Sequence, residues 1–227
     1  MKEHINIAID GPAGAGKSTI AKRVAKKLQI IYVDTGAMYR AAAHTAIEEG
    51  VDPADLPAVE AMMDRLSVKL EYDEAAQAQR VIANGTDVTP YLRTEAVGNM
   101  ASKISAYPVV RAKLTALQQE MAKSSSLVMD GRDIGTVVLP EAEVKIFLTA
   151  SSEARAKRRF LELAEKGEAP DLKKIKADIE ERDYRDSHRE AAPLKQAKDA
   201  VLVDSSDLSI DEVTEMILAL VKEKCNV

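Results

Sequence analysis

The sequence predicts an α/β protein: a five-stranded parallel sheet with helices on both faces, a small antiparallel β-insert and a helical lid. Three observations carry this expectation. Short apolar runs rich in β-branched residues alternate with longer segments whose apolar positions recur at helical spacing. The first of those runs passes directly into the spacing G-x-x-x-x-G-K-[ST]. Two stretches then break the alternation, one with period two and one crowded with charge.

The first strand reads from Ile5 to Asp10, and Gly11-Pro12-Ala13-Gly14-Ala15-Gly16-Lys17-Ser18-Thr19 follows at once. Ile20, Val24 and Leu28 then share one helical face, so the loop joins a strand to a helix. Glycine lets the backbone curl until its N–H groups meet phosphate oxygens. The helix start adds unpaired N–H donors and a partial positive charge. Lys17 supplies a full charge to the outer phosphates, and Ser18 offers a hydroxyl to Mg²⁺. Residues 11–19 are therefore expected to bind a nucleoside triphosphate; the loop alone does not say what is done with it.

Ile30 to Val33 reads as a second buried strand, and Asp34-Thr35-Gly36 opens a helix carrying Arg40. Asp34 and Thr35 stand where caps stand, and also where open α/β sheets bind ligands. Arg40 by itself reads as part of a solvated helix face. Residues 50–57 are a breaker-rich link, followed by a short helix to about Leu66. Val68 to Tyr72 alternates with period two, and Arg80 to Thr89 reads as strand and turn around Asn84-Gly85. This is the β-insert, read as decoration or as a flap over a second substrate.

Helices are expected from Thr94 to Ser105 and from Pro108 to Ser124. Arg111 sits in the first turn of the latter, the end where a cation is disfavoured, which hints at a ligand. Leu127 to Met129 is the third strand, running into Asp130-Gly131-Arg132-Asp133-Ile134-Gly135-Thr136-Val137-Val138. Asp130 is a candidate for the carboxylate that phosphate-loop enzymes place near the metal. Arg132 and Asp133 either pair with each other or face a ligand.

Val144 to Leu148 is the fourth strand. A capped helix follows from Ser151 with Arg155, Lys157, Arg158 and Arg159, and a second charged helix from Leu172 to Glu190. There Arg182, Arg185, Asp186 and Arg189 fall on one face. The hairpin reads as a solvated pair of helices laced with ion pairs or as an arginine lid. Arginines sharing a face call for anions opposite them, which favours the lid. Ala200 to Asp204 is the fifth strand, and Ser205 to Lys222 the closing helix. There is no internal repeat or low-complexity segment.

The chain has 227 residues, 46% hydrophobic and 30% charged, with 2 Phe and no Trp, so the core is expected to be aliphatic. No run approaches the ~18 apolar residues of a membrane span. Met1-Lys2-Glu3-His4 leads straight into the first strand, and a cytoplasmic location without a secretory leader is expected. The single Cys225, expected in a fraying tail, excludes an intrachain disulfide and, alone, a Cys-ligated zinc site. The net charge of −5 argues against a general nucleic-acid binder. Residues 151–200, with 13 Lys/Arg and 12 Asp/Glu, are slightly basic in an otherwise acidic chain.

Together these pieces predict phosphoryl transfer between two bound small molecules, with the lid excluding water. Residues 11–19, Asp34 to Arg40, Ala101-Ser102-Lys103 with Arg111, Asp130 to Val138 and Glu181-Arg182-Asp183-Tyr184-Arg185-Asp186 resemble, as an ordered set over nearly the whole chain, the bacterial cytidylate kinases. The resemblance implies a phosphate-loop fold of the nucleoside monophosphate kinase type and conversion of CMP or dCMP, with ATP and Mg²⁺, to the diphosphate in pyrimidine nucleotide metabolism. It implies that Thr35, Arg111 and Asp133 face the cytosine, and that Arg40, Arg132 and Arg189 hold the acceptor phosphate. Ser102 and Asp186, with Arg182 nearby, would meet the ribose or bridge to the moving phosphoryl group. Lys17, Arg158, Arg182 and Arg189 would stabilise transition-state charge. Thr35 departs from the serine expected in many relatives but keeps the hydroxyl.

The expected organisation is a single kinase domain, with a core of 1–50, 94–150 and 192–227, an acceptor segment with the β-insert at 51–93 and a lid at 151–191. A monomer without nucleic-acid or membrane partners is expected. Competing readings are a phosphate-loop kinase for UMP, AMP or shikimate, or a nucleotide-dependent regulatory or RNA-binding module. Few aromatics and net acidity disfavour RNA, and no Asn-Lys-x-Asp guanine signature is present.

Overall fold

The structure, a computed structural model, describes residues 4–73 and 78–225. Met1-Lys2-Glu3, on which part of the leader expectation falls, lies outside them. In chain order the elements are β1 (Asn6–Asp10), α1 (Lys17–Leu28), β2 (Ile31–Asp34), α2 (Thr35–Glu48), α3 (Leu56–Arg65), β3 (Val68–Asp73), β4 (Ala78–Ala83) and β5 (Thr86–Asp87). Then follow α4 (Glu95–Ile104), α5 (Pro108–Ser124), β6 (Leu127–Gly131), β7 (Val144–Thr149), α6 (Ser152–Glu165), α7 (Leu172–His188), β8 (Val201–Asp204) and α8 (Ile210–Cys225). The chain divides into two compact units, Met1–Val33 with Met121–Val227, and Asp34–Glu120.

The first unit is organised by a five-stranded sheet of order β2-β6-β1-β7-β8. β1 pairs in parallel with β6 and β7, and β7 pairs in parallel with β8. Strands covered on both faces read as continuous apolar runs, and Ile7, Ala8 and Ile9 are fully buried. On one face Ile20 and Val24 of α1 and Val213, Ile217 and Val221 of α8 close over Ile7, Ile146, Leu148 and Val203. Cys225 is the last residue of α8 and packs against this cluster, correcting the expectation of a frayed tail.

Parallel strands that start in register end together, so Asp10, Gly131, Thr149 and Asp204 bring their following loops to one edge. Gly11 is constrained there by space. A Cβ on it would lie 1.9 Å from the carbonyl oxygen of Leu148. Gly11→Ala must therefore push β1 away from β7. The expected cost is on the order of 3 kcal/mol, or roughly 6–12 °C in Tm for a chain of this size, checked by a thermal melt.

In the second unit, α2, α3 and α4 begin where Asp34, Asp55 and Thr94 accept hydrogen bonds from the backbone N–H groups of Ala37, Ala58 and Val97. The β-insert is an antiparallel sheet of order β3-β4-β5. Asn84 (φ 49°) and Gly85 (φ 83°) form its two-residue hairpin, both left-handed as such a turn requires.

Two boundaries differ from expectation. The closing helix starts at Ile210, because Ser209 and Glu212 form a reciprocal cap that fixes its first turn. Ile134–Val138, to which the sequence assigns no element, is a π-helical turn. α7 ends at His188 and Arg189 is extended (φ −66°, ψ 145°), so Arg189 leaves the helical face expected to hold it with Arg182.

Candidate active site

The phosphate loop runs from the end of β1 to the start of α1, whose N-cap Gly16 is left-handed (φ 90°) and offers no side-chain cap. Lys17 opens the helix, is 5% exposed, and its Nζ donates to the carbonyl oxygen of Pro12 at 2.8 Å. Ser18 Oγ donates to Asp130 Oδ2 at 2.9 Å, and Tyr32 OH donates to Asp130 Oδ1 at 2.8 Å. Asp130 is buried at the end of β6 beside Ile9 of β1. Its carboxylate thus orients the Ser18 hydroxyl, which fits a metal arriving on a nucleotide. Among the described residues there is no cluster of three or more His, Cys, Asp or Glu placed to hold a metal by themselves.

Burial, and then the charge of Arg132, pull the Lys17 ammonium down to about 7, against the opposing carboxylates of Asp130, Asp10 and Asp186. A bound polyphosphate favours the charged form. ATP binding is therefore expected to take up more protons at pH 8 than at pH 6, where Lys17 is already charged. Titration calorimetry in buffers of different ionisation enthalpy measures this. No uptake at pH 8 would mean that the ammonium is charged before ATP arrives.

The segment after β6 is held by Asp10, a buried residue the sequence reading passed over. Its two carboxylate oxygens accept from the backbone N–H groups of Ile134 and Gly135, each at 2.7 Å. Burial raises its carboxyl to about 6 despite those two bonds. A Cβ on Gly135 would lie 3.3 Å from Asp10 Oδ2 and 3.2 Å from Lys145 Cδ, so the turn is clamped on both sides. The clamp fixes Asp133, whose carbonyl accepts from the N–H groups of Val137 and Val138 at 2.9 and 3.2 Å.

Arg132 and Asp133 do not pair with each other as the local sequence allowed. Arg132 Nε donates to Asp186 Oδ2 at 2.9 Å, and Arg189 Nη2 lies 3.9 Å from Asp133 Oδ1. Burial alone would raise the Asp186 carboxyl, but Arg132, with Arg182 and Arg189, outweighs it and holds the group below the usual range. Arg189 also donates through Nε to the carbonyl of Ala192 at 2.8 Å. Arg185 is exposed and lies beside Glu181 on its own helix.

Arg158 of α6 turns toward the link after β8, donating to the carbonyl and hydroxyl oxygens of Ser205. The Ser205 hydroxyl in turn donates to the carbonyl of Ala15 at 3.3 Å. Beside Arg158 a cavity of about 550 Å³ is lined by Ser151, Ala154, Lys157, Asp204, Ser206 and Asp207, among others. One turn earlier on α6, the buried Arg155 donates to the carbonyl of Ala13 at 3.1 Å and to both carboxylate oxygens of Asp183. Pro12 and Ala15 are buried, and Gly14 and Thr19 are exposed.

The other expected contacts fall in the unit Asp34–Glu120. Thr35 is buried in the first turn of α2. Arg40 is half-buried, not solvated as its local sequence suggested, because its Nη2 donates to both oxygens of Asp34 at 3.3 and 3.2 Å. Its Nε is buried with no hydrogen-bond partner among the described residues. Arg111 is 6% exposed; it donates to the carbonyl of Ser105 at 3.2 Å and lies 5.5 Å from the centre of the Tyr39 ring. Ser102 is exposed on α4.

Asp10, Tyr32, Arg155, Asp183 and Ser205 are polar residues of this constellation to which the sequence alone assigns no role. Asp10 carried a signal, a carboxylate closing an apolar strand. Asp183 and Arg155 lie in charge runs where each residue resembles its neighbours, and Tyr32 reads as strand.

Comparison with known proteins adds the chain's kin. The family model described as cytidylate kinase matches residues 7–223. The chain is 52% identical over 223 residues to a cytidylate kinase of Shouchella clausii (strain KSM-K16), covering 98% of both chains. It is 50% identical over 224 residues to a cytidylate kinase of Geobacillus kaustophilus (strain HTA426), covering 99% of both. A solved structure of an uncharacterized protein from Eubacterium ventriosum ATCC 27560 shares the fold alone, with a TM-score of 0.52, 15% identity and coverage of 97% of this chain and 99% of that one.

Proposed function

The chain belongs to the cytidylate kinase family, and on that premise we propose that it moves the terminal phosphoryl group of ATP, with Mg²⁺, to CMP or dCMP, releasing ADP and the diphosphate. The observation that carries this reading is the pairing, on adjacent strand ends, of a phosphate loop with its Ser18–Asp130 contact and an Arg132–Asp133 segment clamped by Asp10.

In such a transfer the protein positions and neutralises charge and need not supply a covalent nucleophile. Residues 11–19 cradle the triphosphate, through the backbone N–H groups of all but Pro12. Lys17 leaves the Pro12 carbonyl for the outer phosphates and, with Arg158, Arg182 and Arg189, offsets the charge of the loose transition state. Ser18, held by Asp130, would offer its hydroxyl to Mg²⁺, which would supply charge neutralisation to the phosphates. The cavity lined by Ser151, Ala154, Asp204, Ser206 and Asp207 suits the base of the donor.

For the acceptor, Asp133 accepts from the N4 amino group of cytosine, with Thr35 and Arg111 as its further base contacts. Arg132, Arg189 and Arg40 hold the phosphate, and the unpartnered buried Nε of Arg40 favours an anion. Ser102 and Asp186 serve the sugar. We further assign residues 51–93 to an acceptor segment and 151–191 to a lid, and propose a cytoplasmic monomer without nucleic-acid or membrane partners. Among the described residues no helix is long and apolar enough to cross a membrane.

The test is ADP release from MgATP with CMP, dCMP, UMP, AMP, GMP or shikimate, against an ATP-only blank. Fast turnover with CMP or dCMP and little with the rest is expected. A panel at blank level would overturn the reading and move a nucleotide-dependent binding module to the front.

A further inference from the structure

We propose that Arg155 is a positioning residue that couples the phosphate loop to α7 through Asp183, so that donor and acceptor binding are linked; the proposal rests on the kinase reading above. Arg155 lies one turn into α6 and is 5% exposed. Its Nε donates to the carbonyl of Ala150 at 2.8 Å and Nη1 to the carbonyl of Ala13, in the phosphate loop, at 3.1 Å. Nη1 and Nη2 donate to the two oxygens of Asp183 at 3.0 and 2.6 Å. The stem of Arg155 also supports the loop, since a Cβ on Gly14 would lie 3.4 Å from Arg155 Cβ. The loop backbone thus rests on one part of this side chain and is bonded to another.

This arrangement is expensive for packing alone. A cation near a helix N-terminus is disfavoured, and a buried ion pair seldom outperforms apolar side chains of similar volume. A bidentate fork does supply one defined geometry. What that geometry connects is visible on α7. Asp183 and Asp186 stand three residues apart, on the same side of the helix. Asp183 grips the arginine under the donor loop, and Asp186 grips Arg132, to which the acceptor phosphate is assigned. An acceptor phosphate competes with Asp186 for Arg132. Any resulting shift of α7 acts through Asp183 and Arg155 on the Ala13 carbonyl. By linkage, each nucleotide then changes the affinity for the other by the same factor.

The test uses the full chain and calorimetric Kd values for a non-hydrolysable ATP analogue with Mg²⁺, without and with saturating CMP. In the wild type, CMP is expected to change the analogue Kd by about fivefold or more. Asp183→Asn keeps the side-chain shape and leaves Arg155 bonded to Ala150 and Ala13. It should bring that factor to within about twofold of unity while the Kd for CMP alone moves by less than about twofold.

Arg155→Lys, which keeps the charge and loses the fork, should do the same and decides the matter if Asp183→Asn does not fold. A wild-type factor of one overturns the proposal. So do variants that keep the wild-type factor, or that lower Tm and both affinities with the factor intact, as a merely structural pair would. Absence of ADP formation from CMP by the wild type would instead overturn the kinase reading, so the two failures are distinguishable.

Discussion

Lys17→Ala should lower kcat by about 10³-fold or more, some 4 kcal/mol of transition-state stabilisation, while the Kd for CMP stays within about threefold. The size follows from placement. Lys17 is the first residue of α1, almost wholly buried, where charge interactions are screened little by water. Its Nζ donates to the Pro12 carbonyl oxygen at 2.8 Å. Its value is realised when charge develops on the transferring phosphoryl oxygens. The assigned acceptor contacts do not include it, and removing it relieves repulsion on Arg132, which lies close enough to depress the Lys17 pKa. Steady-state kinetics and CMP calorimetry on the same preparation check the split. A loss in CMP affinity as large as the loss in kcat would show that Lys17 serves both substrates.

The second large effect concerns base choice. Asp133→Asn should cut the preference for CMP over UMP, taken as the ratio of kcat/KM values, by about 10- to 100-fold. Cytosine presents an N4 amino donor that a carboxylate accepts, whereas uracil presents an O4 acceptor that a carboxylate repels. An amide accepts from one and donates to the other. Asp133 is 5% exposed and its backbone is fixed by the π-helical turn, so the carboxylate has little freedom to escape a mismatched base. Undiminished preference in Asp133→Asn would transfer the discrimination to Thr35 or Arg111.

The elements are legible in the sequence where the signal is local. The phosphate loop, the caps Asp34 and Ser151 and the Asn84-Gly85 hairpin all follow from residues within a few positions of one another. Charged residues with many possible partners are not legible in this way. Arg132 and Asp133 are neighbours in the chain, yet each meets a residue from the far end of the hairpin. Helical spacing puts Arg189 on one face with Arg182, but the helix stops at His188 and the chain turns away. Arg155 was one cation among several on α6, and only its burial against Ala13 and Asp183 distinguishes it from Lys157 or Arg159.

By itself, the sequence determined the order of strands and helices, the glycine-rich loop between β1 and α1 and the kinship with cytidylate kinases. Periodicity, turn chemistry and glycine spacing are properties of short stretches, and each is written where it acts. Only the tertiary structure decided which polar group holds which. Asp10 reaches Ile134 across 124 positions, Tyr32 reaches Asp130 across 98 and Arg132 reaches Asp186 across 54. Those partners meet because β1, β2 and β6 lie in one sheet, β1 and β6 pairing in parallel so that their ends share an edge, and because α7 folds back over that edge. The identity of an acidic or basic side chain says that it needs a partner; the register of strands distant in sequence supplies one.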